Sequence, residues 1–207
     1  MEHGGTIGHA AEHATSTGLD NRKLLMWAFL GSDCLFFGPL ISTYMLFRGK
    51  SLTGPYPHEV FDIPYTSVSA FVLLMSSLTM VLALAAIQRG DQRGLRIWLV
   101  ATALLGSVFV GGQVYEFTTF VHEGLTLSVN VFGTSFFVLT GFHGAHVTVG
   151  VLILFSLLGA SMRGQLRRED SLRVELAGLY WHFVDVVWIV IFTLVYLIPA
   201  PLPAVLH

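Results

Sequence analysis

The sequence has very little of what a soluble or metal-binding protein needs. Cys34 is the only cysteine among 207 residues, which excludes an internal disulfide and any zinc or iron–sulfur site built on several cysteines. Charged residues make up only 12%, and a formal net charge of −2 gives no support for nucleic-acid binding. Apolar residues dominate instead: they make up 54%, with a mean hydropathy of +0.70, which indicates an integral membrane protein.

Five apolar runs follow a polar beginning, and each has about 20 residues or more, enough to cross the hydrocarbon layer. The predicted fold is therefore all-α, an integral membrane bundle of five transmembrane helices in one domain over residues 23–200. We place the spans at about 24–47, 66–88, 96–121, 130–161 and 174–198. A mobile polar tail over 1–22 and a short outer tail over 201–207 flank the bundle. The first residues contain no cleavable signal peptide, so we expect the first helix to direct insertion.

Arginine and lysine are distributed unequally between the two sides of this predicted bundle. One side holds nine of them: Arg22, Lys23, Arg89, Arg93, Arg96, Arg163, Arg167, Arg168 and Arg173. The other side holds only Arg48 and Lys50. Because basic loops stay on the inner side of a membrane, we predict a cytoplasmic N-terminus and a C-terminus outside, in the periplasm.

The first span contains an acid. Asp33 lies about 15 Å beyond Lys23 along the helix, close to the middle of the bilayer. A lone carboxylate at that depth is costly and is by default a functional candidate. A functional carboxylate and a hydrogen-bonded structural group are equally open interpretations.

The last span carries a polar stripe. His182 and Asp185 are three residues apart, which puts them on one helix face, and Glu175 lies one heptad earlier on the same stripe. Gly178 between them would let another helix approach closely. We expect this face to be covered by polar groups or by a neighbouring helix.

Two further polar groups lie in the third and fourth spans. Glu116 is about 30 Å beyond Arg96 and so near the outer interface. His143 and His146 share one helix face. A His-x-x-His pair could bind metal or haem, but one helix supplies only half a site, so we expect a hydrogen-bonded interior cluster instead.

Distances along the helices predict which of these groups meet. Asp33 and His182 each lie about 15 Å from the inner basic residues of their helices, whereas Glu116 and His143 each lie about 30 Å from theirs. We therefore predict an inner level with Asp33 and His182 and an outer level with Glu116 and His143.

Four separated stretches carry a family resemblance. They are Gln113-Val114-Tyr115-Glu116, Phe132-Gly133-Thr134-Ser135-Phe136-Phe137, Thr140-Gly141-Phe142-His143-Gly144-Ala145-His146-Val147, and Glu175 with Tyr180-Trp181-His182-Phe183-Val184-Asp185-Val186-Val187-Trp188. In this order they resemble subunit III of the haem–copper respiratory oxidases, over essentially all of the chain after the tail. The five predicted helices resemble the shorter bacterial form of that subunit, which lacks the first two of seven helices.

The first span departs from the family at one position. In Ser32-Asp33-Cys34-Leu35-Phe36-Phe37, Asp33 stands where the family commonly has a buried glutamate. Aspartate keeps the acid and shortens the side chain by one methylene. For this position we favour a structural or lipid-organising role over obligatory proton transfer.

The resemblance implies a non-redox subunit of a proton-pumping terminal oxidase, which transfers electrons to dioxygen in aerobic respiration. The chain would stabilise subunit I, bind phospholipid and support proton uptake. No catalytic residue and no metal ligand is expected in it, because haems and copper are held by the partner subunits I and II. The implied setting is the bacterial inner membrane, with small subunits of the same complex as further partners and a larger respiratory supercomplex left open.

Several alternatives stay open beside this interpretation. We favour a cytochrome c oxidase, with a quinol oxidase as the first alternative. A haem-anchoring membrane subunit would show a haem absorption band. A standalone carrier usually contains an internal repeat, and this sequence shows none.

Basic residues of the inner loops are candidates for contacts with lipid phosphates. They are Arg163, Arg167, Arg168 and Arg173. For most of them the alternative is a solvated face that only sets the topology.

Overall fold

The chain folds as a bundle of long helices. The computed structural model describes residues 20–48 and 62–198. Its helices are α1 (Asn21–Phe47), α2 (Ile63–Gln88), α3 (Gln92–His122), α4 (Val131–Met162) and α5 (Ser171–Phe192). A 3₁₀ turn over Arg168–Asp170 precedes α5, and a π-helical segment over Thr193–Leu197 continues it.

All five helices are long and apolar enough to cross a membrane, and no strand occurs in the described part of the chain. The predicted all-α class with five spanning helices is therefore confirmed. The orientation of the termini stays a prediction. Lys50 and most of the two predicted tails lie outside the described residues.

Short polar side chains fix the starts of the first four helices. Each accepts a hydrogen bond from a backbone N–H of the first turn, as N-cap residues do: Asp20 from Arg22 at 2.8 Å, Asp62 from Tyr65 at 3.1 Å, Asp91 from Gly94 at 2.9 Å, and Asn130 from Gly133 at 2.7 Å. Because of these caps, α2 begins at Ile63 and α3 at Gln92, earlier than the apolar runs predict.

Helix α5 holds the bundle together. It packs against α1, α2 and α4, while α3 packs between α2 and α4. Its Trp181 is only 1% exposed and its indole N–H donates to Ser76 Oγ of α2 at 2.9 Å. A Cβ on Gly106 of α3 or Gly150 of α4 would come within 2.5 Å or 2.8 Å of this indole. Glycines on two helices thus make room for one tryptophan, in line with small residues at membrane helix contacts.

The π-helical segment is held from α1. Arg48 donates to the backbone carbonyls of Leu194 and Ile198, both at 3.3 Å, and the Tyr44 hydroxyl donates to the carbonyl of Val195 at 3.4 Å. These donors satisfy carbonyls at the end of a helix, where intrahelical partners run out. The segment is therefore anchored to the neighbouring helix.

Candidate functional site

Asp33 of α1 faces α4. Its Oδ2 atom lies 3.9 Å from Nε2 of His146 and has no hydrogen-bond partner among the described residues. The other ring nitrogen of His146, Nδ1, lies 2.7 Å from the carbonyl oxygen of Phe142. A carbonyl can only accept, so Nδ1 carries a proton. At 3.9 Å, Nε2 and the carboxyl oxygen are too far apart for a direct hydrogen bond.

This acid–imidazole pair lies beside an apolar groove between α1, α4 and α5. Tyr180 of α5 donates to the backbone carbonyl of His146 at 3.0 Å, and Phe37 presents its ring to the imidazole at a centroid distance of 5.1 Å. The groove has a volume of about 740 Å³. Its walls include Met26, Phe29, Phe142, His146 and Tyr180, with Arg173 at one end. The site thus combines an apolar groove, a cation at its end, an imidazole in its wall and a carboxyl group behind that imidazole.

Glu175 forms an ion pair between the N-terminal ends of α1 and α5. Its Oε1 lies 2.7 Å from Nζ of Lys23, and each side chain is about a third exposed. At such exposure an ion pair contributes little to stability, about 0–1 kcal/mol. Its value here is that it fixes which faces of the two helices meet.

His182 and Asp185 turn toward α2. Nδ1 of His182 lies 2.7 Å from the Ser77 hydroxyl. Asp185 is 3% exposed, and neither carboxylate oxygen has a hydrogen-bond partner among the described residues. The polar stripe of α5 is therefore covered by two different helices, α1 at Glu175 and α2 at His182.

Glu116 lies near the predicted outer end of the bundle. Its Oε1 accepts a 2.6 Å hydrogen bond from the Thr66 hydroxyl of α2, and Tyr196 of the π-helical segment is a second neighbour. The carboxylate also lines a pocket of about 470 Å³ with Tyr65 and Tyr115. Asp62 and Glu123 are further acids in the pocket wall.

His143 lies in the interior of the bundle, and Asp33 lies beside His146 instead. It is completely buried and stacks on Trp188 at a centroid distance of 5.0 Å. Phe109 of α3 approaches the same ring edge-on at 6.1 Å. Neither ring nitrogen has a partner among the described residues.

The two predicted pairings, Asp33 with His182 and Glu116 with His143, are wrong. Asp33 lies beside His146 rather than His182, whose ring bonds Ser77. Glu116 bonds Thr66 rather than His143. The rise along a helix gives height but not the direction in which a side chain points, and packing decides that direction.

The four predicted lipid-contacting arginines separate into two groups. Arg173 lines the groove, with its Nε 3.5 Å from Oδ1 of Asp170. Arg163, Arg167 and Arg168 lie around the loop between α4 and α5, and all four arginines are exposed. Of the four arginines, Arg173 is therefore the one that lines this groove. Within the described residues, no three histidine, cysteine or acidic side chains come together as a metal site.

Some partners were missed by reasoning from the sequence. Lys23, Thr66, Ser77 and Tyr180 each contact a predicted site residue or its backbone. A signal existed for Lys23, because it has the opposite charge to Glu175 at the same predicted membrane side. Hydroxyl residues in apolar helices are too common to single out, since most of them bond their own backbone.

Comparisons with known proteins agree with the architecture. A family model described as cytochrome c oxidase subunit III matches residues 14–199. Quinol oxidase subunit 3 of Bacillus subtilis (strain 168) is 39% identical over 199 residues, covering 95% of this chain and 97% of the relative. Cytochrome c oxidase subunit 3 of Bacillus sp. (strain PS3) is 38% identical over 177 residues, covering 86% of each chain. Cytochrome bo(3) ubiquinol oxidase subunit 3 of Pseudomonas aeruginosa is 36% identical over 194 residues, covering 94% of this chain and 92% of the relative.

Proposed function

The chain belongs to the cytochrome c oxidase subunit III family, as a multi-pass subunit of a haem–copper oxidase, and on this premise we propose that it is a non-redox stabiliser of a proton-pumping terminal oxidase. One observation carries the stabilising role. Several polar motif residues join helices, as Glu175 does with Lys23 and His182 does with Ser77. Side chains used in this way hold a scaffold rather than perform chemistry.

The proposed partners are oxidase subunit I, in direct contact, and subunit II and small subunits of the same complex. Haems and copper belong to the partner subunits in this proposal. Purification tests it: the tagged chain should bring down a haem-containing subunit I while contributing no absorption band of its own. A haem band that stays with this chain after the subunits are separated would favour the haem-anchoring alternative.

Phospholipid binding is supported by the groove between α1, α4 and α5. Its apolar walls suit an acyl chain, and Arg173 at its end suits a lipid phosphate. The variant Arg173→Gln should reduce the phospholipid that the purified oxidase retains, as measured by mass spectrometry of extracted lipids. Arg168→Gln is the matched control, because Arg168 is exposed in the adjoining 3₁₀ turn. Equal lipid content in both variants would contradict the assignment of the groove.

For Asp33 we propose a structural and lipid-organising role. Its position supports this, because the carboxyl group lies next to the groove residue His146. Asp33→Asn should leave initial oxygen consumption and proton pumping nearly unchanged and shorten the time for which the oxidase stays active. Cys34→Ser, at the exposed neighbouring position, is the control.

Obligatory proton transfer is the second candidate role of Asp33, and the imidazole of His146, 3.9 Å from its carboxyl group, favours it. Immediate loss of proton pumping by Asp33→Asn in reconstituted vesicles would establish that role and overturn the structural one. Measurements of initial rate and of lifetime on the same preparation separate the two.

The electron donor is proposed to be cytochrome c, in keeping with the family description and the relative from strain PS3. Quinol is the alternative, and the relatives from Bacillus subtilis and Pseudomonas aeruginosa favour it by name. The purified oxidase should turn over with reduced cytochrome c and not with a quinol. The reverse preference would assign the complex to the quinol oxidases. Because these relatives are bacterial, we place the complex in the bacterial inner membrane.

A further inference from the structure

Three buried polar side chains meet at the contact of α3, α4 and α5 without satisfying one another. Gln113 is 6% exposed, and neither its amide nitrogen nor its amide oxygen has a hydrogen-bond partner among the described residues. The same holds for both ring nitrogens of His143 and for the indole nitrogen of Trp188. In native proteins, groups buried this deeply are hydrogen-bonded to protein or to ordered water.

The three side chains are neighbours in space. The rings of His143 and Trp188 stack at 5.0 Å, and Phe109 packs on both, at 6.1 Å and 4.9 Å. Gln113 lies one helical turn beyond Phe109 on the same face of α3. Its Cγ atom lies 3.9 Å from the position that a Cβ on Gly144 would occupy. The Gln113 side chain therefore reaches α4 at Gly144, the residue that follows His143.

The helix contact at Gly144 is loosely packed. No atom other than Gln113 Cγ comes within 4 Å of the Cβ position of Gly144, outside that helix's own backbone and chain neighbours. One turn beyond Gln113, on the same face of α3, Glu116 lines the outer pocket of about 470 Å³. Glu116 and Gln113 thus form a line of polar side chains on this face of α3, which leads from the pocket toward the interior.

We propose that the space between Gln113 and His143 is a binding site for ordered water, which bridges the amide to the imidazole and enters past Glu116. An amide offers two donors and an acceptor, and a neutral imidazole offers one of each, so one or two waters can satisfy both groups. Bound water of this kind is part of a protein's structure and is costly to remove. Gln113 is then a positioning residue that ties α3 to α4 through solvent.

A structure of the intact oxidase at a resolution that shows ordered waters tests the proposal directly. Water density within hydrogen-bonding distance of both Gln113 and a ring nitrogen of His143 is the expected result. A direct hydrogen bond between the two side chains, with no water beside them, would overturn the proposal. This arm uses the unaltered protein, so it stands whether or not any variant assembles.

The variant Gln113→Leu gives a second measurement, by the same structural method on the intact complex. It removes both amide groups that would hold the water, so the water density beside His143 should be lost. Val114→Leu, at the 59% exposed neighbouring position of α3, should keep that density. Unchanged water density beside His143 in Gln113→Leu would contradict the water bridge.

Discussion

Replacing Gly150 by alanine tests how tightly the bundle closes around Trp181. The added Cβ would lie 2.8 Å from two atoms of the indole ring and 3.3 Å from the ring of Tyr180. Trp181 has little freedom to turn away, because it is 1% exposed and donates to Ser76 at 2.9 Å. Either α4 moves away from α5 or the indole gives up its hydrogen bond.

The size of the effect follows from three contributions. Forcing an extra methyl group into a well-packed core costs about 1–3 kcal/mol. Losing the hydrogen bond between Trp181 and Ser76 adds about 1 kcal/mol. Alanine in place of a helical glycine recovers about 1 kcal/mol. The net destabilisation expected for Gly150→Ala is therefore roughly 1–3 kcal/mol.

Gly159→Ala is the matched control for this prediction. It lies on the same helix, and an added Cβ meets no atom within 4 Å beyond the helix's own backbone and chain neighbours, so we expect no loss of stability and a gain of up to about 1 kcal/mol. The assay is the temperature at which this subunit becomes protease-sensitive within the purified oxidase. Equal midpoints for the two variants would refute the claim that Trp181 is tightly enclosed.

Two further predictions use the same thermal assay. Ser77→Ala removes the partner of His182 and should destabilise the subunit by about 1–3 kcal/mol. Ser67→Ala is the control and should have little effect, because the Ser67 hydroxyl bonds its own helix. Equal losses of stability in the two variants would contradict a special role for Ser77. Lys23→Gln breaks the partly exposed ion pair with Glu175 and should lower the stability by less than about 1 kcal/mol. This loss should shrink as salt is added. A larger loss that does not depend on salt would show that Lys23 acts through packing.

The positions of the helices could be predicted because a bilayer leaves an apolar segment few options. A spanning segment must satisfy its own backbone hydrogen bonds, and a helix does so within one continuous run. Polar caps at Asp62 and Asp91 extend α2 and α3 beyond their apolar runs, so both helices start earlier than the sequence predicts. Hydropathy therefore locates a span better than it locates the end of a helix.

The partners of the buried polar groups were harder to predict. Asp33 and His182 lie at similar predicted heights, yet one faces α4 and the other faces α2. Which faces meet depends on side-chain packing between helices that are far apart in the chain, such as Trp181 against Gly106 and Gly150. Nothing in the local sequence of α1 or α5 encodes that geometry.

At the π-helical segment that follows α5, the chain could lose one residue without interrupting the helix. The amide of Ile198 donates to the carbonyl of Thr193 at 3.1 Å, five residues back instead of the four of an α-helix. The segment therefore holds one residue more than a regular helix needs, which turns its last side chains by roughly 100° from their direction in an uninterrupted α-helix. A family member with a single-residue deletion here would keep a continuous helix but turn the side chain corresponding to Tyr196 away from Glu116. An alignment gap at this point would thus identify family members that lack the contact between Glu116 and Tyr196.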